Sequence, residues 1–296
     1  MNQSQASAGA PPGAVSPQAA FAARGARKRS FWDGRPGTLL LQLAVGVLIL
    51  VAWELASRAG LINPILLGRP SLIGQRIFEM LAGDEVYSRT IYDHLWTTLQ
   101  VVLLGYILGS AGGIALAFVL GRSRFLSKVF EPLILSIASI PKIAIAPLFI
   151  IVLGIGITSK LAIVFIEVFF MVFFSALRGV VEVNEDYVHI ARIMGASRWK
   201  VMRRIIIPAA LPDIMHGLRM GVPFAMIGAI LGEFISSNQG LGWLILYSSS
   251  SLDPNSLWAA LAFLVVTTWL LGVVLGMIEA RVLAWQPQRR ESGMRV

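Results

Sequence analysis

Six long apolar runs, separated by polar segments, limit what this chain can fold into more than any other feature. Each run is close to the roughly 20 residues that an α-helix needs to cross the hydrocarbon core of a bilayer. The runs are approximately Thr38–Ala56, Leu95–Leu120, Leu133–Leu153, Leu161–Val181, Ile214–Ile235 and Leu257–Leu283. Charged residues make up 14% of the 296 positions, whereas soluble domains carry about 25%. The sequence therefore predicts an all-α, polytopic membrane helix bundle with six transmembrane helices.

The distribution of positive charge predicts how these helices are oriented. Of the 25 Lys and Arg residues, 18 fall in alternate segments that include both chain ends, and 5 fall in the segments between them. The 18 lie in residues 1–38, 121–130, 178–212 and 281–296. Because short cytoplasmic segments are enriched in Lys and Arg, we expect both termini in the cytoplasm. The net charge of +9 then reflects topology, and we expect no nucleic acid partner.

The composition divides the chain into four parts. Residues 1–37 are rich in Ala, Gly, Pro and Ser and predict a disordered cytoplasmic tail, whose role beyond orientation stays open. Residues 38–94 contain the first transmembrane helix, too long for a signal peptide, and an external amphipathic segment that either contacts a partner or connects two spans. Residues 95–285 form the core transmembrane domain, and residues 286–296 a cytoplasmic tail.

Small residues at steps of four recur in several spans. Such spacing places them on one helix face, where they let helix backbones approach closely in a bilayer. The series are Gly105, Gly109, Gly113, Ala117 and Gly121; Gly217, Gly221, Ala225 and Ala229; Gly228 and Gly232; Gly272 and Gly276. They predict a compact bundle and a subunit interface.

The third span is interrupted by prolines, and Lys142 lies near its middle. Proline removes a backbone hydrogen bond and kinks a helix, and a lysine at this depth is expected to face the bundle interior. Lys142 lines a path for an anionic solute, forms an ion pair with Glu167 or Glu233, or is a snorkelling side chain. We take Pro141, Lys142, Pro147 and Glu233 as candidates for the translocation pathway.

Two acidic residues in the core spans have open roles. Glu233 lies in GEFISSNQGLG, where a helix gives way to a turn rich in Gly and Ser. It either gates the outer mouth or holds that turn by accepting backbone hydrogen bonds. Glu167 is flanked by large apolar residues, and its role stays open.

The segment Asn184–Pro212 is too polar to span a bilayer and too amphipathic to be a loose loop. Asn184 is a good N-cap for a short helix, and Gly195 can adopt the left-handed conformation that ends it. Ser197 can cap a second, basic helix, which we expect Pro208 and Pro212 to end. Tyr187, Ile190, Ala191 and Met194 form one apolar stripe. The stripe either docks on a partner or packs on the helix ends of this chain.

This segment resembles the cytoplasmic EAA loop of importer-type ABC transporter permeases. The matching positions are His189, Ile190, Ala191, Gly195, Ala196, Ser197, Pro208 and Pro212, with His-Ile in place of the leading Glu-Ala. The flanking stretches PKIAIAPLFIIVLGIG, FFMVFFSALRGV and GEFISSNQGLGWLI resemble the nitrate, sulfonate and taurine branch. The resemblance covers roughly residues 96–285.

The resemblance implies that residues 95–285 form a permease domain with the type I ABC importer permease fold, in a bacterial cell (inner) membrane. It also implies a transport subunit that is not an enzyme. The implied partners are separate ABC ATPase subunits, which use the ATP, a second permease copy, a periplasmic or lipid-anchored solute-binding protein and membrane lipid. The matching loop residues, together with Tyr187 and Met194, are then the ATPase-coupling residues. The implied solute is small and anionic; its identity, and the choice between homodimer and heterodimer, stay open.

Other function classes leave no comparable pattern. The sequence contains no phosphate loop G-x-x-x-x-G-K-[ST], no H-E-x-x-H and no G-x-S-x-G. The three His residues are not spaced as metal ligands, and the chain has no Cys, so we expect no metal or cofactor. The alternative to an ABC permease is an ion-coupled secondary transporter, which predicts paired halves with broken helices at matching positions. A membrane enzyme would need a polar constellation that the sequence lacks.

Overall fold

A computed structural model of the chain describes residues 35–121 and 123–285. The predicted tails, residues 1–37 and 286–296, lie outside these ranges except for residues 35–37. Within the described ranges the regular elements are helical and no β-strand occurs. The predicted all-α class is confirmed.

The helices are numbered α1 to α12 in chain order. Their bounds are α1 Arg35–Arg58, α2 Pro64–Leu67, α3 Pro70–Ala82, α4 Ile91–Gly121, α5 Arg124–Ala138, α6 Lys142–Leu153, α7 Ile157–Val181, α8 Glu185–Ile193, α9 Arg198–Val201, α10 Ile207–Ser236, α11 Leu241–Ser250 and α12 Pro254–Val282, with a π-helical turn at Met202–Ile206. The chain divides into two compact units, Met1–Ala56 and Ser57–Val296. The described part of the first unit belongs to α1, and the other helices form the second.

Five helical stretches of the described chain are long and apolar enough to cross a membrane. They are Gly37–Arg58, Ile91–Gly121, Ile157–Val181, Arg198–Ser236 and Pro254–Val282. A sixth span results if the α5–α6 pair, bent by 86°, counts as one. Pro141 lies at this bend in an extended conformation, whereas Pro132 and Pro147 lie inside α5 and α6. The predicted interruption is confirmed, and it separates two helices that lie nearly at right angles.

The core of the second unit consists of α4, α7 and α10, and its small residues allow close helix contacts. A Cβ built on Gly113 would lie 2.8 Å from the Phe169 carbonyl oxygen of α7. A Cβ on Gly228 of α10 would lie 2.9 Å from Val164 Cα. Only glycine fits at such distances, so the predicted packing role of these two series is confirmed.

The Gly272–Gly276 pair of α12 behaves differently. A Cβ on either residue would meet no atom of the described chain within 4 Å. The close contact that this spacing predicts is therefore absent between α12 and the other described helices. If this face of α12 is packed, the packing atoms come from outside the described residues.

The prediction that Pro208 and Pro212 end the basic helix is wrong. The helix from Arg198 continues through the π turn into α10 and reaches Ser236. In the π turn the Ile207 N–H donates to the Met202 carbonyl, five residues back. Pro208, which has no N–H, directly follows the π turn, and such local adjustments let a helix continue through a proline. Pro212 lies inside α10. The basic helix and the predicted fifth span are one continuous helix.

The segment between α1 and α4 packs on the start of α12. Ile73 and Met80 of α3 are buried, whereas Phe78, an apolar residue of the predicted amphipathic segment, is 73% exposed. The amphipathic role of this segment stays a prediction. The Tyr87 hydroxyl donates to Asp253, which caps α12. Burial raises the pKa of Asp253, but hydrogen bonds from Ser256 and Tyr87 outweigh it and hold that pKa below its ordinary value.

Candidate functional site

The α8 helix begins and ends where its sequence predicts. The Asn184 side chain accepts a hydrogen bond from the Asp186 N–H at 2.8 Å, so Asn184 is the N-cap. At the other end Gly195 has φ +78°, the left-handed conformation that glycine adopts without strain. The Ala196 N–H donates to the Ala191 carbonyl at 2.9 Å, which closes the last turn. These local caps define a rigid helix of 9 residues.

The second predicted cap is also present. The Ser197 hydroxyl accepts from the Lys200 N–H at 3.3 Å and starts α9. Gly195 therefore lies in the short link between two capped helices, and its conformation sets the angle between them. His189, at the position of the motif's leading acid, contacts the carbonyl of Glu185 in its own helix through Nδ1 at 2.9 Å.

The apolar side chains of α8 are exposed. The exposed fraction is 63% for Tyr187, 55% for Ile190 and 81% for Met194, and Ala191 is half-buried. Ile193, at 86%, and Trp199, at 71%, are also exposed. The apolar periodicity did not indicate these last two, because neither belongs to the stripe. The exposed set Tyr187, Ile190, Ile193, Met194 and Trp199 is called the coupling face below.

A second candidate region is an open cavity along the C-terminal half of α7. Its volume is about 660 Å³. Lys142, the first residue of α6, lines it together with Glu167, Phe170, Arg178 and His216. Lys142 Nζ lies 5.8 Å from the centre of the Phe170 ring. This space is called the Lys142 cavity.

Lys142 and Glu167 share this cavity without a direct contact. The ion pairs that join described residues do not include them, so their nitrogen and oxygen atoms are more than 4.0 Å apart. Arg178 is 3.9 Å from Asp213. Pro141 and Pro147 do not line the cavity, and both are exposed. Pro141 instead sets the bend that places Lys142 at the cavity wall.

Glu233, a candidate for the translocation pathway together with Lys142, lies apart from the Lys142 cavity. It is fully buried, and its two carboxylate oxygens accept from the Thr98 hydroxyl at 2.8 Å and the Gly242 N–H at 2.7 Å. Thr98 in turn accepts from the Leu241 N–H at 2.8 Å. Two roles were considered for Glu233, a gate at the outer mouth and a support for the turn. Its hydrogen bonds match the second role, because they hold the turn between α10 and α11.

Three residues of this region were not singled out from the sequence. The His94 Nδ1 accepts from the Gly240 N–H at 3.1 Å, and Thr98 lies one helical turn further along α4. Lys160 of α7 donates to Ser237 at 2.7 Å. The i, i+4 spacing of His94 and Thr98 at the start of an apolar span was the available signal. Nothing in the sequence indicated the partners of these two, which are more than a hundred residues away.

Neither region has the composition of a metal site. Across residues 35–121 and 123–285, no group of three or more His, Asp and Glu side chains is arranged to hold a metal ion. The chemistry of both regions is therefore that of apolar contact, hydrogen bonding and fixed charge.

Comparison with known proteins identifies the family. The family described as binding-protein-dependent transport system inner membrane component matches residues 109–283. The chain is 28% identical over 245 residues to the taurine transport system permease protein TauC of Escherichia coli (strain K12), which covers 82% of this chain and 89% of that protein. It is 27% identical over 262 residues to the formylaminopyrimidine transport permease protein ThiX of Halalkalibacterium halodurans, covering 88% and 100%.

A solved structure shows the same fold. The match is to an inward facing conformation of the MetNI methionine ABC transporter, with a TM-score of 0.56 and 18% identity over 63% of this chain and 93% of that chain. The resemblance drawn from the EAA-type loop is thus confirmed by sequence and by fold. The chain belongs to the binding-protein-dependent transport system inner membrane component family and is an ABC transporter permease, a multi-pass membrane protein.

Proposed function

We propose that this chain forms the translocation pathway of a bacterial ABC importer for a small anionic solute of the sulfonate or taurine type. ATP is hydrolysed by separate ATPase subunits, which bind the coupling face. The single observation that carries the coupling role is the exposure of Ile193 and Met194, 86% and 81%, on a capped helix in an ABC permease.

The small size of α8 favours docking on a partner. A helix of 9 residues is marginal alone in water, and its exposed apolar side chains cost free energy unless something covers them. An apolar stripe at helical spacing fits a groove on a partner, the helix-in-groove mode of recognition. Gly195 fixes the direction of the chain after the docked helix.

A second permease copy is proposed from the Lys142 cavity. One wall of this cavity is formed by the α5–α6 pair, whose apolar side chains are mostly exposed, including Leu133 at 56% and Ile151 at 80%. A copy of the chain placed against this pair would cover those side chains and enclose the cavity. We propose a homodimer; a different permease chain in this position is the other outcome of the test.

The orientation and the solute follow from charge. The excess of Lys and Arg in residues 178–212 supports a cytoplasmic coupling face and cytoplasmic termini. Lys142 supplies a positive charge to the pathway, and TauC, a relative, is by its name a taurine transport permease. A solute-binding protein delivers the solute from outside, in agreement with the family description.

The experiment compares two single substitutions at equally exposed positions. Met194→Asp introduces a charge on the coupling face, and Leu61→Asp does the same at a position that is also 81% exposed but far away along the chain. Each variant is co-expressed with the ATPase subunit. Met194→Asp is expected to reach the membrane normally, yet to lose about tenfold or more of ATPase co-purification and transport together.

The control variant Leu61→Asp is expected to keep both ATPase co-purification and transport. If Met194→Asp lowers expression but the surviving protein still binds the ATPase, the stripe packs within this chain. If uptake persists without any ATPase and follows an ion gradient, the chain works as a secondary transporter and the proposal is wrong.

A further inference from the structure

The N-terminal end of α7 borders a second polar cavity, separate from the Lys142 cavity. Its volume is about 580 Å³, within the usual size range of small-molecule sites, about 300–1,000 Å³. Its polar lining consists of Thr97, Gln100, Lys160, Ser236, Ser237, Asn238 and Gln239. We call it the Lys160 pocket.

Lys160 is held in place at the wall of this pocket. It is 93% buried, because its exposed fraction is 7%. Its stem packs against α10 so tightly that a Cβ on Gly232 would lie 3.2 Å from the lysine Cα, Cβ and Cγ. Its Nζ donates to the Ser237 hydroxyl at 2.7 Å. An ammonium group has three N–H donors, so two remain for another acceptor.

Lys160 forms no direct ion pair with an acid, although Glu233 on the neighbouring helix attracts its charge. Among the described residues no carboxylate lies within 4.0 Å of it, since the ion pairs found there involve other residues. Glu233 lies on the neighbouring helix, but its oxygens accept from Thr98 and Gly242. A buried lysine without a direct ion pair is costly in a membrane protein and marks a functional site.

Further hydrogen-bond donors lie around the pocket, beside apolar side chains such as Ile155 and Ile235. Gly156 begins α7 with φ 155° and provides no side-chain cap, and Gly156 and Ile157 both line the pocket. The first N–H groups of a helix lack partners within the helix and favour anions. The amides of Gln100, Asn238 and Gln239 add donors that can rotate toward several oxygens.

We propose that the Lys160 pocket binds the charged head group of a small oxyanion, such as a sulfonate, before the solute reaches the Lys142 cavity. The proposal rests on the proposed anionic solute and assigns it a second binding position on the same helix. Lys160 and Glu167 are seven residues apart on α7, about 10 Å along the helix axis. In this proposal a small sulfonate passes from the Lys160 pocket to the Lys142 cavity along α7.

The test measures binding by the full-length chain in lipid nanodiscs without the ATPase, so a failure of coupling cannot affect it. The probe is ethanesulfonate, compared with neutral ethanesulfonamide and with chloride at equal ionic strength, and the readout is the melting temperature against ligand concentration. Saturable stabilisation by ethanesulfonate alone is expected. Lys160→Met should weaken binding about tenfold or more, whereas Lys160→Arg should retain most of it.

Two further variants locate the bound anion in the Lys160 pocket. Asn238 is exposed, so Asn238→Asp places a negative charge at the pocket without disturbing a buried residue, and it should also weaken binding. Leu61→Asp places the same charge at an exposed position outside both cavities and should leave the affinity unchanged. The proposal is overturned if ethanesulfonate stabilises no more than chloride, if Lys160→Met and Asn238→Asp both bind normally, or if Leu61→Asp weakens the binding as much as Asn238→Asp does.

Discussion

The two buried acids along α7, Glu233 and Glu167, have different surroundings. Beside the N-terminal end of α7, both oxygens of Glu233 accept hydrogen bonds from residues that hold the α10–α11 turn. Near the middle of α7, Glu167 lines the open Lys142 cavity and has no hydrogen-bond partner among the described residues. The first acid is committed to the structure of this chain, and the second remains available to a solute or a partner.

The helices also differ in how much of their apolar surface is buried. The helices α4, α7 and α10 bury their small and branched side chains against one another, for example Val164, Ala225 and Ala229. The coupling face and the α5–α6 pair expose theirs. The chain therefore completes the α4–α7–α10 core by itself, and we propose partners for the coupling face and the α5–α6 pair.

The largest effect on stability is expected for Glu233→Ala. This change leaves the Thr98 hydroxyl and the Gly242 N–H without their buried acceptor. Each unsatisfied buried donor costs about 1–3 kcal/mol, so the substitution should destabilise the fold by about 3 kcal/mol or more. The measurement is the yield and melting temperature of purified protein in detergent.

Glu167→Ala is the matched control for this prediction. Because Glu167 has no such donors, we expect its removal to change the melting temperature much less. Equal melting temperatures for the two variants would show that the hydrogen bonds of Glu233 do not stabilise the turn. The contrast between Glu233 and Glu167 would then be lost.

An intermediate effect on stability is expected when a glycine at the contact between α4 and α7 is substituted. Gly113→Ala brings a Cβ to 2.8 Å from the Phe169 carbonyl oxygen and 3.0 Å from the Phe173 nitrogen, so α4 and α7 must move apart. Overpacking of this kind costs about 1–3 kcal/mol. Gly276→Ala meets no described atom within 4 Å and, since alanine favours a helix, should leave stability unchanged or raise it by up to about 1 kcal/mol.

The melting temperatures of Gly113→Ala and Gly276→Ala, measured with and without the ATPase subunits, check both predictions. If Gly276→Ala is destabilising only in the assembled transporter, this face of α12 is part of a subunit interface. If Gly113→Ala is harmless in the isolated chain, the close approach of α4 and α7 does not limit stability.

Features set by local backbone chemistry were predictable from the sequence. The apolar runs, the bend at Pro141, the Asn184 and Ser197 caps and the left-handed Gly195 depend on residues within a few positions of each other. The local rule failed at Pro208, because the π turn before it places that proline where a helix tolerates it.

Features set by distant contacts were not predictable. Glu233 receives its hydrogen bonds from Thr98, which is 135 residues away, and from the Gly242 turn. Ser237, the acceptor for Lys160, is 77 residues away from it. No periodicity or motif connects such positions. The exposure of Ile193 could not be predicted either, since it depends on which residues lie beside the end of α8.

The smallest effect on stability, with a clear effect on transport, is expected for Lys142→Gln. Lys142 lines the open cavity and is more than 4.0 Å from the Glu167 carboxylate, so its removal breaks no direct ion pair and should cost less than about 1 kcal/mol. If Lys142 attracts an anionic solute, uptake by the assembled transporter should fall about tenfold, the loss of about 1.4 kcal/mol of favourable interaction.

Lys142→Arg keeps the charge and should lose less uptake than Lys142→Gln, whereas Glu167→Gln removes the opposing charge and should not reduce uptake of an anion. These three variants are measured at equal amounts of assembled protein, with ethanesulfonate as solute. A marked fall in melting temperature for Lys142→Gln would assign the lysine to a structural ion pair with Glu167. Normal uptake together with normal melting would discard both roles, and the positive charge of the cavity would then have no part in selecting the solute.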